Sequence, residues 1–177
     1  MIILHLFRTP ALSAYQTAGL LATAQQTVSH AIIGIETEFC FNVAAESPLS
    51  PDETRLLRWL LAETFEPEKF SDKSFLTLDP GPRTLVLEVG PRMNFTTAWS
   101  TNAVSVCHAC GLRKITRIER SRRYRLLLDD PSAISQEPRA RFLSLVHDRM
   151  TECPYPEPLK TFETGDRKST RLNSSHQ

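Results

Sequence analysis

An α+β fold made of duplicated βαβα units, with helices packed on antiparallel sheets, is what this 177-residue sequence predicts. Three observations carry the prediction. Residues 33–43 alternate apolar and polar side chains, the period of a long strand with one buried face. Ser50-Pro51-Asp52-Glu53 reads as a helix-capping box and leads into a leucine stripe at helical spacing. The same order of elements then recurs at an offset of 83, which sets Leu6 against Val89, Ile35-Glu36 against Ile118-Glu119 and Leu60 against Leu143. Sub-repeats fall at about 1–66 and 84–151. A half of roughly 80 residues has a marginal core alone, so the two are expected to pair sheet to sheet, as a dimer within one chain.

Ile2–Phe7 is apolar on both faces, as in an interior strand. Thr9-Pro10 is expected to open a helix, with Thr as cap and Pro in the first turn, and Leu12, Tyr15, Gly19 and Ala22 on one side up to about Ser29. Ile33, Ile35, Thr37, Phe39, Phe41 and Val43 form the buried face of the next strand, opposite Glu36, Glu38 and Asn42. The second helix buries Leu56, Leu57, Leu60 and Leu61. Residues 66–83 form a loop with a short strand at Ser74–Leu78. Thr84–Val89 is a strand stopped by Gly90-Pro91. Ser100 or Thr101 caps a helix whose apolar side is Val104, Cys107 and Cys110, and Gly111-Leu112 ends it with a left-handed residue and its hydrophobic contact. Ile115–Leu128 is a long strand, and Ser135 to about Thr151 a helix carrying Phe142, Leu145, Val146 and Met150.

Composition excludes several function classes. Hydrophobic residues make up 41% and charged residues 23%, which argues against a disordered chain. No apolar run approaches the ~20 residues of a membrane span, and Met1–Phe7 lacks the basic start of a signal peptide. A net charge of +1 demands neither a nucleic acid nor a membrane as partner. The expectation is a cytoplasmic protein with four reduced thiols. No Walker loop, nucleophile elbow, HExxH or dinucleotide fingerprint occurs.

Three clusters remain. Cys107-His108-Ala109-Cys110 is a CxxC, but a zinc site needs four ligands and no second pair is present. It also sits at a helix C-terminus, where the dipole raises a thiol pKa, so two small core residues is the plainer reading. Residues 113–125 hold seven Lys or Arg against one Glu, which fits either a phosphate-binding stripe with Tyr124 for stacking, a charged solvent face, or a docking face for an acidic domain. Glu36 and Glu38 share a strand face and could do acid–base work, or simply mark a solvent-facing edge. On chemistry alone the chain looks non-catalytic. The polar string 166–177, DRKSTRLNSSHQ, reads as adaptor or vector read-through after a short linker start at 161–165, with a genuine disordered tail as the alternative.

One further string is recognisable. LVLEVGPRMNFTTAWSTNAVSVCHACGL at 85–112, followed by RIERSRRY at 117–124, stands with TPALSAY, IETEFCFNV, RLLRWLL and VHDRMTE. Together these resemble the N-terminal, PurS-like domain of large single-chain phosphoribosylformylglycinamidine (FGAM) synthases, over residues 1 to about 160. The resemblance implies a PurS-like pseudo-dimer acting as scaffold in an ATP-dependent ligase. That enzyme converts formylglycinamide ribonucleotide, ATP and glutamine to FGAM, ADP, phosphate and glutamate. The partners implied are its synthetase and glutaminase domains, and ATP and magnesium belong to those, with no cofactor held here. No catalytic residue of the family carries over. The alternatives are a free-standing PurS-like small subunit or a nucleic-acid module built on the basic strand. Candidate interdomain contacts are Arg92, Asn94, Phe95 and Trp99 on the loop after the third long strand, with Arg117, Arg120, Arg122 and Arg123. Phe95 and Trp99 either dock on another domain or fill the space under the following helix.

Overall fold

The computed structural model describes residues 1–62, 66–76, 81 and 83–163. Among them the chain runs β1 (Ile2–Arg8), α1 (Ala14–Thr27), β2 (Ile32–Ala45), α2 (Pro51–Ala62), β3 (Phe70–Ser71), β4 (Thr84–Pro91), α3 (Ala98–Ala109), β5 (Ile115–Leu128), α4 (Gln136–Val146) and β6 (Glu152–Pro154). The strands form one antiparallel sheet in the order β3-β1-β2-β5-β4-β6. The halves β1-α1-β2-α2 and β4-α3-β5-α4 meet edge to edge. β2 and β5 are each 14 residues long and pair from Ile32↔Leu128 to Ala45↔Ile115. The expected joining of two sheets is therefore one continuous sheet, sealed by the backbone ladder of its two longest strands.

The helices share one sheet face. Ile35, Phe41 and Val43 of β2 face the same way as their partners Leu126, Arg120 and Ile118, because strand neighbours share a face. Two cores divide this face. In the first, Ala24 of α1, Val28 at its C-cap and Phe142 of α4 close over Ile35, Leu87, Val89 and Leu126. Phe142 is fully buried and meets Tyr124 edge to face at 5.6 Å. In the second, Leu57 and Leu61 of α2 and Cys107 of α3 close over Leu6, Phe41, Val43 and Ile118, and Trp99 stacks on Phe41 at 5.9 Å. Each fully buried large side chain stabilises by about 1.5–3 kcal/mol, so neither core is expendable.

Most elements form where periodicity places them, and the differences have local causes. α1 begins four residues beyond Pro10, because Ser13 and Gln16 make the capping box. Its buried side is then Leu20, Leu21 and Ala24, and Tyr15 is exposed. Ile33 is exposed because the β2–β5 register shifts between Ile32 and Gly34. Thr97, not Ser100 or Thr101, caps α3, accepting from the Ser100 amide. β4 runs through Gly90-Pro91 because β6 pairs with it there. Pro91 is tolerated as the last residue of the strand, and Gly90 is required by contact: a Cβ there would lie 2.7 Å from Tyr155 and 2.8 Å from Ser121. α4 stops at Val146, leaving Met150 exposed. The capping box at Ser50 and Glu53 forms as read. Gly111 takes φ +92°, with Leu112 donating to Cys107 and Gly111 to His108, a Schellman stop. Ser74 lies in no strand, and residues 77 and 78 and the 166–177 tail lie outside the described residues.

Candidate functional site

The sheet face opposite the helices is polar, yet much of it is buried. Glu38, Asn42, Glu119 and Ser121 are fully buried there, and Cys40 and Glu88 nearly so. Arg123 organises one cluster: its Nη1 donates to Glu38 at 2.8 Å and to Ser74 at 2.8 Å, and its Nε lies 3.3 Å from Glu88. Ser121 donates to Glu88 at 2.6 Å and Ser74 to Glu38 at 2.6 Å. Two carboxylates thus share one guanidinium. Burial holds the Glu88 carboxyl above its usual range, against the pull of Ser121 and Arg123. Burial also lowers the His5 imidazole, which hydrogen-bonds Asn42 at 3.0 Å. The layer is roofed by Ser74–Leu76 and by the segment after β6, where the Tyr155 hydroxyl donates to the Pro91 carbonyl and the Tyr155 amide donates to the Glu88 carbonyl at 2.8 Å.

The expectation that Glu36 and Glu38 mark a solvent-facing edge is corrected here. β2 is a central strand, so Glu38 is enclosed, while Glu36 stays exposed and faces Arg125 at 3.6 Å.

The loop after β4 sits at the margin of this layer. Glu119 accepts from the Thr97 amide at 3.2 Å and from the Thr97 hydroxyl at 2.7 Å, and Arg117 Nε lies 3.0 Å from the same carboxylate. Arg117 also donates to the Phe95 carbonyl at 2.5 Å. Arg92 grips the Arg149 carbonyl with Nε and Nη2, and its amide bonds to Thr151. Loop 92–97 is therefore held at both ends. Asn94 is exposed and Phe95 is 38% exposed, whereas Trp99 is half-buried in the second core. Of the two aromatics, Trp99 fills space inside the fold and Phe95 faces out. Asn94 and Arg117 also line a cavity of about 630 Å³ with Met1, Ile3 and Phe162.

The structure does not gather the arginines of β5 into one stripe. Arg117 and Arg123 project to the polar face, Arg120 and Arg122 to the helix face. Arg120 stacks on Phe39 at 4.4 Å and Trp99 at 4.9 Å. Arg122 forms a fork on Glu152 at 2.8 and 3.0 Å and donates to the Val146 carbonyl. These side chains hold the fold together. Sequence reasoning missed Glu119, Glu88 and Ser74. The available signal for Glu119 was its being the one acid among seven bases, and for Glu88 a charge inside an apolar strand.

None of the four cysteines is in a disulfide. Cys107 is a core residue whose thiol burial pushes up to about 11, while Cys110 is exposed, not on the apolar side. His108 bonds the Ile115 carbonyl at 2.7 Å. No group of His, Cys, Asp or Glu able to hold a metal occurs among the described residues, and no helix there is long and apolar enough to cross a membrane.

Residues 38–161 match the family model described as "Formylglycinamide ribonucleotide amidotransferase N-terminal". The chain belongs to that family. Relatives include "Phosphoribosylformylglycinamidine synthase" of Dictyostelium discoideum, 48% identical over 93% of this chain, and that of Homo sapiens, 46% identical over 73%. "Probable phosphoribosylformylglycinamidine synthase, chloroplastic/mitochondrial" of Arabidopsis thaliana is 45% identical over 92%. The chain spans 12% of the length of the Dictyostelium and Arabidopsis proteins. The formylglycinamide ribonucleotide amidotransferase N-terminal match begins at Glu38 and ends at Thr161, so it takes in the Arg123 and Glu119 clusters and the segment that roofs them.

Proposed function

We propose that this chain serves as the PurS-like N-terminal scaffold of a large single-chain FGAM synthase, spanning residues 1 to about 160. The enzyme it would serve converts formylglycinamide ribonucleotide, ATP and glutamine to FGAM, ADP, phosphate and glutamate. The observation that carries the reading is the family match over residues 38–161 combined with a coverage of only 12% of the relatives' length. The fold supports it: two similar halves share one sheet, and the buried charges are consumed in internal pairs. On this reading ATP and magnesium sit in other domains, and the chain works in the cytoplasm. The plastid and mitochondrial designation of the Arabidopsis relative makes cell fractionation a direct check of location.

The contact surface we propose is the loop 92–99, with Phe95 as exposed anchor and Asn94 beside it. Arg92 and Arg117 hold the loop in place, and Arg120, Arg122 and Arg123 brace the strand beneath it. A nucleic-acid role for this strand is disfavoured by the ion pairs and ring contacts that occupy its arginines. The test is an assay of the purified chain for glutamine- or ammonia-dependent ADP release with the nucleotide substrate. No turnover is expected, and clear turnover would sink the scaffold reading.

A further inference from the structure

The two cores are related by the repeat, but their outer surfaces differ. Counted from their caps, the ninth residues of α2 and α4 are Trp59 and Ser144, and those of α3 and α1 are Val106 and Ala22. Trp59 is 66% exposed and Val106 50% exposed. At these positions the α1–α4 side presents small residues and the α2–α3 side large apolar ones, although Tyr15 and Leu145 are exposed elsewhere on α1 and α4. Between α2 and α3 lies an open groove of about 200 Å³. One wall is Leu60 and Leu61. The other is Trp99, Asn102, Ala103, Val106 and Cys107, a complete i, i+3, i+4, i+7, i+8 face of α3. α3 carries no Asp, Glu, Lys or Arg from Ala98 to Ala109.

We propose that this groove receives the apolar face of a helix from a later domain of the synthase. The proposal rests on the scaffold reading above. A helix fits because a groove lined at helical spacing accepts ridges of the same spacing, and Ala103 permits close approach. The incoming face is uncharged at its centre, since α3 offers no counter-charge and a buried unpaired ion is costly. It carries one hydrogen-bonding group opposite Asn102, which would otherwise be covered unpaired. The chain outside this structure is ample, because the relatives are matched over only 12% of their length. The residues that follow in the sequence, 166–177 (DRKSTRLNSSHQ), are polar and carry no apolar stripe at helical spacing, so the occupant is assigned to a later domain.

Hydroxyl-radical footprinting of Trp59 and Val106 tests this, comparing the 177-residue chain with the full-length synthase. Labelling of both residues is expected to fall at least about fivefold in the full-length enzyme. Equal labelling overturns the groove proposal and leaves the scaffold reading to its own turnover assay. Protection that already appears in the isolated chain and grows with its concentration assigns the groove to a second copy and overturns the proposal too. Val106→Glu gives a second readout. It should leave the melting of the isolated chain unchanged, because the site is half exposed, and restore labelling of Trp59 in the full-length enzyme. Continued protection of Trp59 in that variant counts against the groove.

Discussion

Replacing Arg123 by Met removes a cation that Glu38 and Glu88 share. The guanidinium is 12% exposed and the two carboxylates 0% and 7%, so solvent screens the loss poorly. Breaking a buried pair by removing one partner costs about 3–5 kcal/mol, because a charge stays behind unpaired. That is a large share of a total stability of roughly 5–15 kcal/mol. For a chain of this size each kcal/mol moves the melting temperature by about 2–4 °C, so Arg123→Met should lower it by about 6–20 °C. The loss should depend on pH with a definite sign. Glu88 has a raised pKa in the folded state, so its contribution is fully present below the unfolded value of about 4.3 and is lost as pH rises through the folded value. Removing Arg123 takes away an influence that lowers the Glu88 pKa. The variant should therefore be hurt less at pH 5 than at pH 8. Glu38→Gln and Glu88→Gln in the same chain should recover more than half of the deficit. Thermal melts of the variants at the two pH values read all of this. A shift below about 2 °C, or a deficit independent of pH, would refute the shared-cation argument.

Other perturbations follow from single contacts. Gly90→Ala should cost about 1–3 kcal/mol in denaturant melts, because the new methyl meets Tyr155 and Ser121 below 3 Å. Phe142→Ala should cost about 3–5 kcal/mol by emptying the first core, and Trp59→Ser at an exposed site should stay within about 0.5 kcal/mol. Gly111→Ala should lose about 1 kcal/mol, for the φ of +92° and not for space, since nothing lies within 4 Å of the added carbon. His5, whose imidazole is lowered by burial, should titrate by NMR below about 6.5; the stability it contributes is present above that value and lost as pH falls through its folded pKa.

Legibility in the sequence tracked how local the determining physics is. β2 and β5 were readable because period 2 and β-branched or aromatic content reinforce each other over 14 residues. The α2 cap and the Gly111 stop were readable because each is a short motif with its own hydrogen bonds. The cap of α3 lies three residues before Ser100 because Thr97 is fixed by Glu119, more than twenty residues away in sequence, as well as by its own helix. The burial of Glu38 was not readable either. Alternation tells which residues share a face, but whether the polar face meets water depends on the segments that fold across it. The arginines of β5 looked like one patch for the same reason: a strand sends neighbours to opposite faces, and their acidic partners come from β2, β4 and β6.

The scaffold role proposed for this chain can be tested on the synthase itself. The most direct measurement is glutamine-dependent FGAM formation by a synthase lacking the matching N-terminal region, with and without the 177-residue chain added in trans. A scaffold gives no activity from the chain alone, a large loss in the shortened enzyme, and recovery when the two are mixed. Turnover by the chain alone, or full activity of the shortened enzyme without it, would overturn the scaffold role.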